Sequence, residues 1–311
     1  MSVSGLVVVG VDGSASGLGA VEIAAHEARL RGAGLRVVHA FFWPAMHVPL
    51  GRSPLGPPEG GIRNMVERLV AEAVERARAV EPDLDVSHVV MTGEPLTVLE
   101  AQSRDAELVV VGSRGMGGFV GLLVGSTAVH LAAHGRCPVL VARERTRREG
   151  AASADGPVDR QTDGPIVLGV DGSVAGERAV EFAFAEAAFR DAGLVALHAW
   201  TTWNAPLPAP PDPSEPYSAP PGGLAEEEQR LLHEALAGHQ ERYPGVKVEH
   251  RVLHGSTREA LIEASRSAQL MVVGARGRGG FAGLLLGSVS QALLHHAHCP
   301  VAVVRGTLGP Q

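Results

Sequence analysis

Lysine is almost missing from this chain of 311 residues, in which Lys247 is the only one. A phosphate-binding loop of the G-x-x-x-x-G-K-[ST] type needs a lysine beside the phosphates, and Schiff-base chemistry needs a lysine amine. Lys247 lies in neither of the motifs that the sequence repeats, so both mechanisms are excluded at those motifs. The two cysteines, Cys137 and Cys299, form no C-x-x-C pair, which favours buried structural thiols over a disulfide framework.

Long apolar runs and excess positive charge are also lacking. No apolar run approaches the ~18–20 residues of a membrane-spanning helix, and residues 1–13 turn polar too early for a signal peptide. The formal net charge is −7, which argues against general nucleic-acid binding. We therefore expect a cytoplasmic protein with neither a membrane nor a nucleic-acid partner.

The chain does contain a long internal repeat. Residues 9–14 read VGVDGS and residues 168–173 read LGVDGS, while the pattern G-x2-G-x9-G-S at 112–126 returns at 274–288. A repeat of this length indicates a duplicated domain. We predict domain 1 at 1–146, a linker at 147–163 and domain 2 at 164–306.

Short apolar runs alternate with helical patterns in both halves. Val-rich runs of this kind are typical of strands covered on both faces of a parallel sheet, so the fold class is α/β, an open sheet with helices on both faces. The predicted strands are 6–11, 35–40, 85–90, 108–111 and 139–141, then 166–170, 194–199, 247–253, 270–273 and 301–304; the predicted helices of the first half are near 17–31, 63–81, 95–104 and 126–134.

The glycine-rich segment after the fourth strand of each half predicts an anion site. These segments end at Ser126 and Ser288, each of which opens a helix. Backbone N–H groups at a helix N-terminus bind phosphate, and glycines allow close approach. The serine hydroxyl either caps the helix or contacts the phosphate. Because lysine is missing, Arg114 and Arg276, or a divalent metal, would supply the formal positive charge.

A carboxylate follows the first strand of each half, at Asp12 and Asp171. Ligands of doubly wound sheets bind at that edge, where a carboxylate can accept hydrogen bonds from ribose hydroxyls. A simple turn or helix-cap role is the alternative. Ala40 and Ala199 end the neighbouring strand, and their small side chains could border an adenine ring.

These motifs make both halves similar to the universal stress protein family, in its ATP-binding branch. The family's motif G-2x-G-9x-G-[ST] occurs twice, together with the VGVDGS opening, the V-H-A or L-H-A end of the second strand and the C-P-V segment near each end. The resemblance implies two tandem Rossmann-like domains of the adenine-nucleotide α-hydrolase-like type. Each would have an open, five-stranded parallel sheet of order 3-2-1-4-5.

The resemblance also implies that ATP is the ligand, with or without magnesium, about two molecules per chain. No catalytic residue and no metal ligand of the protein is predicted. Together with the reasoning from the residues, it gives these binding-site candidates: Asp12, Ala40, Gly112, Arg114, Gly115, Gly125, Ser126 and Thr127 in the first half, and Asp171, Ala199, Gly274, Arg276, Gly277, Gly287, Ser288 and Ser290 in the second.

The implied function is a cytoplasmic regulator of a stress or dormancy response that signals its nucleotide occupancy to a regulatory protein. A slow ATPase or phosphotransferase stays open as an alternative, and so does a nucleotide-free interaction scaffold. The family resemblance further implies antiparallel pairing of the two fifth strands, which would make the chain an intramolecular pseudo-dimer, with homodimerisation of whole chains as a further expectation. Phe119 and Phe281 are then candidates to sense the opposite domain.

Overall fold

The structure, a computed structural model, describes residues 5–41, 62–115, 124–143, 164–201, 223–278 and 285–306. The chain divides into two compact units. The first is Met1–Glu149 with Pro300–Arg305, and the second is Gly150–Cys299 with Gly306–Gln311. The predicted linker at 147–163 and the residues Phe119 and Phe281 lie outside the described residues.

The first unit follows the predicted alternation of strands and helices. The elements are β1 (Leu6–Gly10), α1 (Ala15–Arg31), β2 (Gly34–Phe41), α2 (Ile62–Val80), β3 (Val86–Thr92), α3 (Pro95–Gln102), β4 (Leu108–Gly112), α4 (Ser126–His134) and β5 (Val139–Ala142). The parallel strands have the order β3-β2-β1-β4-β5, which confirms the order 3-2-1-4-5.

The second unit repeats this arrangement. Its elements are β6 (Ile166–Gly169), α5 (Glu177–Phe189), β7 (Leu194–Trp200), α6 (Gly223–Arg242), β8 (Val248–His254), α7 (Thr257–Ala264), β9 (Leu270–Gly274) and α8 (Ser288–His296). These parallel strands have the order β8-β7-β6-β9. The last strand, β10 (Val301–Val304), groups with the first unit, where it pairs antiparallel with β5 so that Val301 lies opposite Val141.

Burial explains why these segments are strands. The three consecutive valines of β1, Val7 to Val9, are fully buried, because helices cover both faces of the sheet. The outer strands β3 and β8 instead keep several residues exposed, among them Val90 and Leu253. The difference matches their position at the end of each strand order, where one edge has no strand partner among the described residues.

Helix α1 begins and ends with recognisable local chemistry. Its N-cap is Ser14, whose Oγ accepts a hydrogen bond from the Gly17 N–H, and its C-cap is Gly32 in the left-handed region at φ 63°. The corresponding segment of the second unit starts with a 3₁₀ turn at Val174–Gly176 before α5 begins. In both units this turn follows the aspartate, Asp12 or Asp171, that lies at the carboxyl end of the first strand.

Each of these first helices also carries a buried ion pair four residues apart. Glu27 pairs with Arg31 in α1, and Glu186 pairs with Arg190 at 2.9 Å at the end of α5. Both glutamates are almost completely buried, and a buried carboxylate needs such a partner. The recurrence of the pair in both copies therefore has a structural reason.

The two cysteines are free and buried, which confirms the prediction of structural thiols. Among the described residues, no helix combines the length and the apolar character that crossing a membrane requires.

Candidate functional site

At the carboxyl end of β1, one carboxylate oxygen of Asp12 binds Ser14 and the other faces Gly115. Its Oδ1 accepts hydrogen bonds from the Ser14 backbone N–H (3.0 Å) and from the Ser14 hydroxyl (2.6 Å). Its Oδ2 faces the glycine loop, because a Cβ added to Gly115 would lie 2.7 Å from that oxygen. The turn role and a ligand-facing role are therefore compatible in one side chain.

Two glycines of the loop, Gly112 and Gly115, are required for space rather than for backbone conformation. A Cβ on Gly112 would lie 2.7–2.8 Å from atoms of Ser16, including its backbone carbonyl. Neither Gly112, Gly115 nor Gly125 adopts a positive φ, whereas Gly13 of the VGVDGS motif does, at φ 89°. Close approach, as predicted from the sequence, therefore explains Gly112 and Gly115, and backbone strain does not.

Helix α4 has an N-terminus without a side-chain cap. The N-cap is Gly125, which makes no side-chain cap hydrogen bond, and the N–H of Gly125 donates to the Ser113 carbonyl at 2.7 Å. Ser126 is the first helical residue and is exposed. The capping alternative for Ser126 is therefore wrong, and the backbone N–H groups of the first turn stay available for an anion.

These pieces surround a cavity of about 520 Å³ in the first unit. Its lining includes all eight candidates predicted in the first half: Asp12, Ala40, Gly112, Arg114, Gly115, Gly125, Ser126 and Thr127. Apolar residues that sequence reasoning did not single out complete one side, namely Val38, Pro95, Leu99, Val111 and Val124. The cavity thus joins an apolar part, a carboxylate and an open helix N-terminus.

Histidine packs behind the aspartate in both units. The His39 Nδ1–H donates to the Val11 carbonyl (2.8 Å), and His198 makes the same bond to Val170 (2.7 Å). Because a carbonyl can only accept, the histidine Nδ1 carries the proton in each contact. Through this hydrogen bond, both histidines hold the backbone that precedes the aspartate of their unit.

The second unit repeats the aspartate geometry with an added contact. The Asp171 Oδ1 accepts from the Ser173 N–H (3.0 Å) and hydroxyl (2.7 Å), and a Cβ on Gly277 would lie 2.5 Å from Oδ2. The backbone N–H of Arg278 also donates to that Oδ2, at 2.8 Å. The carboxylate of this copy is thus already engaged by the glycine loop itself.

Of the other second-half candidates, some are exposed at the surface, while Ser290 is buried beneath the loop. Arg276 and Ser288 are exposed. Gly287 is the N-cap of α8, where no side chain makes a capping hydrogen bond. Ser290 is buried instead, with its Oγ 3.0 Å from the Ala275 carbonyl and 2.9 Å from the Gly287 carbonyl. The Ser290 hydroxyl therefore supports the loop from within, and its contact with a ligand stays a prediction.

Ala199 and Gly274 complete the second set, near the carboxyl ends of β7 and β9, the two strands on either side of β6. Ala199 is buried near the end of β7, and its carbonyl accepts a hydrogen bond from the Thr257 hydroxyl at 3.0 Å. Gly274 ends β9, and a Cβ there would lie 3.1 Å from the Arg276 carbonyl. The first-half residue that corresponds to Thr257 is Pro95, which has no hydroxyl to donate.

A buried contact between a histidine and a glutamate distinguishes the second unit and was missed by sequence reasoning. The His198 Nε2 lies 2.7 Å from Oε2 of Glu228 on α6, and both side chains are more than nine-tenths buried. The corresponding residue of α2, 162 positions earlier, is the buried Val66. Glu228 also lines a cavity of about 350 Å³ with Gly172 and Arg278. Only the tertiary contact between α6 and β7 reveals the pair.

The fold and the loop geometry define a class of protein: a tandem α/β chain with a glycine loop and an aspartate at the same sheet edge of each copy. Comparison with known proteins gives the family. The model described as the Universal stress protein family matches residues 6–143 and 164–305. The chain therefore belongs to the universal stress protein family.

Relatives of similar length support this assignment. A universal stress protein of Mycolicibacterium smegmatis is 37% identical over 316 residues, covering 96% of both chains. One from Mycobacterium tuberculosis is 37% identical over 307 residues, again covering 96% of both. The crystal structure of a universal stress protein from Archaeoglobus fulgidus matches with a TM-score of 0.65 at 18% identity, covering 98% of this chain and 97% of that one, a likeness of fold.

Proposed function

We propose that the chain binds ATP and that its nucleotide occupancy is the signal that it passes to a stress or dormancy response. The observation that carries this proposal is the cavity of the first unit. Its volume of about 520 Å³ falls within the roughly 300–1,000 Å³ of small-molecule sites. A carboxylate, a glycine loop and an open helix N-terminus meet around it.

The lining suggests which part of the nucleotide each residue would hold. Val38, Ala40 and Leu99 supply an apolar surface for the adenine base. The Asp12 Oδ2 would accept hydrogen bonds from ribose hydroxyls, while Ser14 fixes the other oxygen of the same carboxylate. The ribose would thus meet a carboxylate that is already oriented.

The phosphates would lie at the start of α4. First-turn N–H groups at an N-terminus capped only by Gly125 attract anions. The hydroxyls of Ser126 and Thr127 and the exposed Arg114 also border the cavity. The described residues contain no group of three or more metal-ligating side chains, so a magnesium ion would be held largely by the phosphates.

A second nucleotide would bind at the second copy of the motif. The support is the repeated pair of Asp171 and Gly277, together with helix α8, whose N-terminus has no side-chain cap. Because the Arg278 N–H already donates to the Asp171 Oδ2, a ribose hydroxyl would have to share that oxygen. We therefore expect the second site to be the weaker one.

The proposal also includes assembly, location and a downstream partner. We propose an intramolecular pseudo-dimer that can associate further into homodimers, a cytoplasmic location, and a regulatory protein that senses the nucleotide. Sedimentation of the intact chain with and without ATP measures the association. An ATP-dependent change in mass would support a link between occupancy and assembly.

The decisive experiment is to denature the purified chain and quantify the nucleotide that it releases, followed by calorimetric titration of nucleotide-free protein with ATP and AMP. We expect about two adenine nucleotides per chain. No binding at millimolar ligand would overturn the proposal and favour the interaction scaffold. A single-turnover assay with labelled ATP separates a binder from a slow ATPase or phosphotransferase.

A further inference from the structure

Two histidines of the second unit lie side by side, outside the nucleotide motif. Nε2 of His233, on α6, is 3.2 Å from Nδ1 of His250, on β8. The rings are nearly perpendicular, at 71°, with centroids 4.2 Å apart. Strand β8 is at the far end of the order β8-β7-β6-β9 from β9, whereas Asp171 follows β6 and the glycine loop follows β9.

The separation of the two nitrogens suits a shared metal ion as well as a direct hydrogen bond. A tetrahedral ion with metal–nitrogen bonds of about 2.0–2.1 Å holds two imidazole nitrogens roughly 3.3–3.4 Å apart. The observed 3.2 Å is close to that value, so modest ring rotations would bring both lone pairs onto one ion. His233 is exposed and His250 is half-buried, which leaves the ion an open approach.

Gln240 is placed to provide the outer contact that a metal-binding histidine normally has. Its amide nitrogen lies 3.4 Å from Nε2 of His250, and a half-turn of the amide would put its oxygen there instead. With its oxygen toward the ring, Gln240 accepts the Nε2–H and leaves the Nδ1 lone pair of His250 directed at His233. Such contacts orient the ring and fix its tautomer.

We propose that His233 and His250 bind one divalent transition-metal ion of the zinc, nickel and copper group. Imidazole nitrogen suits these ions, whereas magnesium and calcium prefer oxygen ligands. The described residues form no cluster of three or more ligating side chains, so water completes the coordination.

Metal binding here would clamp helix α6 to the edge strand β8. Because the two histidines are 17 residues apart in sequence and meet only through folding, the ion would bind the native chain more tightly than the unfolded one. Preferential binding to the native state raises the unfolding temperature. The site is therefore detectable by stability as well as by binding.

The test uses the intact chain, Ni²⁺ as the probe and no nucleotide, so it is independent of the proposed ATP binding. Calorimetric titration should give one saturable site, and Ni²⁺ should raise the unfolding temperature. His233→Gln and His250→Gln should each abolish both effects, and Gln240→Ala should weaken binding about tenfold. His254→Gln, on the same strand, is the matched control and should keep both effects.

Three results would overturn the site. They are no Ni²⁺ binding at millimolar metal, unchanged binding in either histidine variant, and an equal loss in the His254→Gln control. The last result would show that Ni²⁺ binds dispersed histidines and not the pair. A change in the unfolding temperature of a variant without Ni²⁺ is subtracted first, since each protein serves as its own metal-free reference.

Discussion

Gly115→Ala tests the binding site with the smallest possible change. The new Cβ would lie 2.7 Å from the Asp12 Oδ2, well inside an ordinary carbon–oxygen contact. The carboxylate cannot swing away freely, because two hydrogen bonds from Ser14, of 3.0 and 2.6 Å, hold its Oδ1. Gly115 has no positive φ, so the whole effect comes from this contact.

The size of the effect follows from what the carboxylate must give up. Turning it to relieve the contact misaligns Oδ2 for the ribose, and hydrogen bonds to a charged group contribute about 1.5–3 kcal/mol. That loss corresponds to a roughly 10- to 150-fold rise in Kd at the first site. Gly277→Ala, with its Cβ 2.5 Å from the Asp171 Oδ2, should act equally on the second site alone.

Calorimetric titration with ATP measures both sites in one chain, and thermal unfolding checks that the variants are folded. Gly19→Ala and Gly238→Ala are matched controls, since each lies inside a helix and a Cβ there meets no atom within 4 Å. They should keep ATP affinity and gain about 0.5–1 kcal/mol of stability. Wild-type affinity at both sites in Gly115→Ala would refute the assignment of this loop to the nucleotide.

Four further outcomes follow from the same contacts. Asp12→Asn should weaken ATP binding at the first site in the calorimetric titration, and unchanged affinity would contradict a ribose contact. Ser14→Ala should cost about 1 kcal/mol in urea unfolding, because it removes a helix cap; an unaltered midpoint would argue against the cap. In the same urea unfolding, Glu228→Ala should cost about 1–3 kcal/mol, because the buried Nε2 of His198 loses its partner while Nδ1 keeps Val170, whereas the half-exposed Glu227→Ala should stay within about 0.5 kcal/mol. Steady-state ATP hydrolysis should be slower than ~1 s⁻¹, and a faster rate would favour the enzyme alternative.

The sequence predicted the fold closely where burial repeats along the chain. Both faces of β1 and β4 are buried, so their central residues are all valine, and this composition alone indicates strands. The start of α5 was less predictable. Ser173 caps a 3₁₀ turn where Ser14 caps an α-helix, and this difference depends on short loop contacts that carry no periodic signal.

The site was predictable only in part, because the repeat preserves residues for more than one reason. Asp12 and the loop glycines recur because they shape the site, but Glu27 and its counterpart Glu186 recur because they form buried ion pairs. Ser103 and Ser265 recur because the Oγ of each accepts a hydrogen bond from the backbone N–H of a residue just before the last strand of its half. Repetition marks constrained positions without stating the constraint. Glu228 occurs in one copy only, so no comparison of the halves could find its contact with His198.

The double engagement of Asp12 has a consequence for how such a domain can change over generations. One oxygen of this carboxylate organises the entry into α1, so losing the side chain would damage the helix as well as any ligand contact. Selection for folding alone would therefore retain the aspartate after a ligand was no longer used. Gly115 would be retained with it, because a Cβ there would lie 2.7 Å from the retained Oδ2, whereas a Cβ on Gly125 would meet no described atom closer than 3.7 Å. An intact aspartate and Gly115 are thus a poor record of past binding, and Gly125 is a better one.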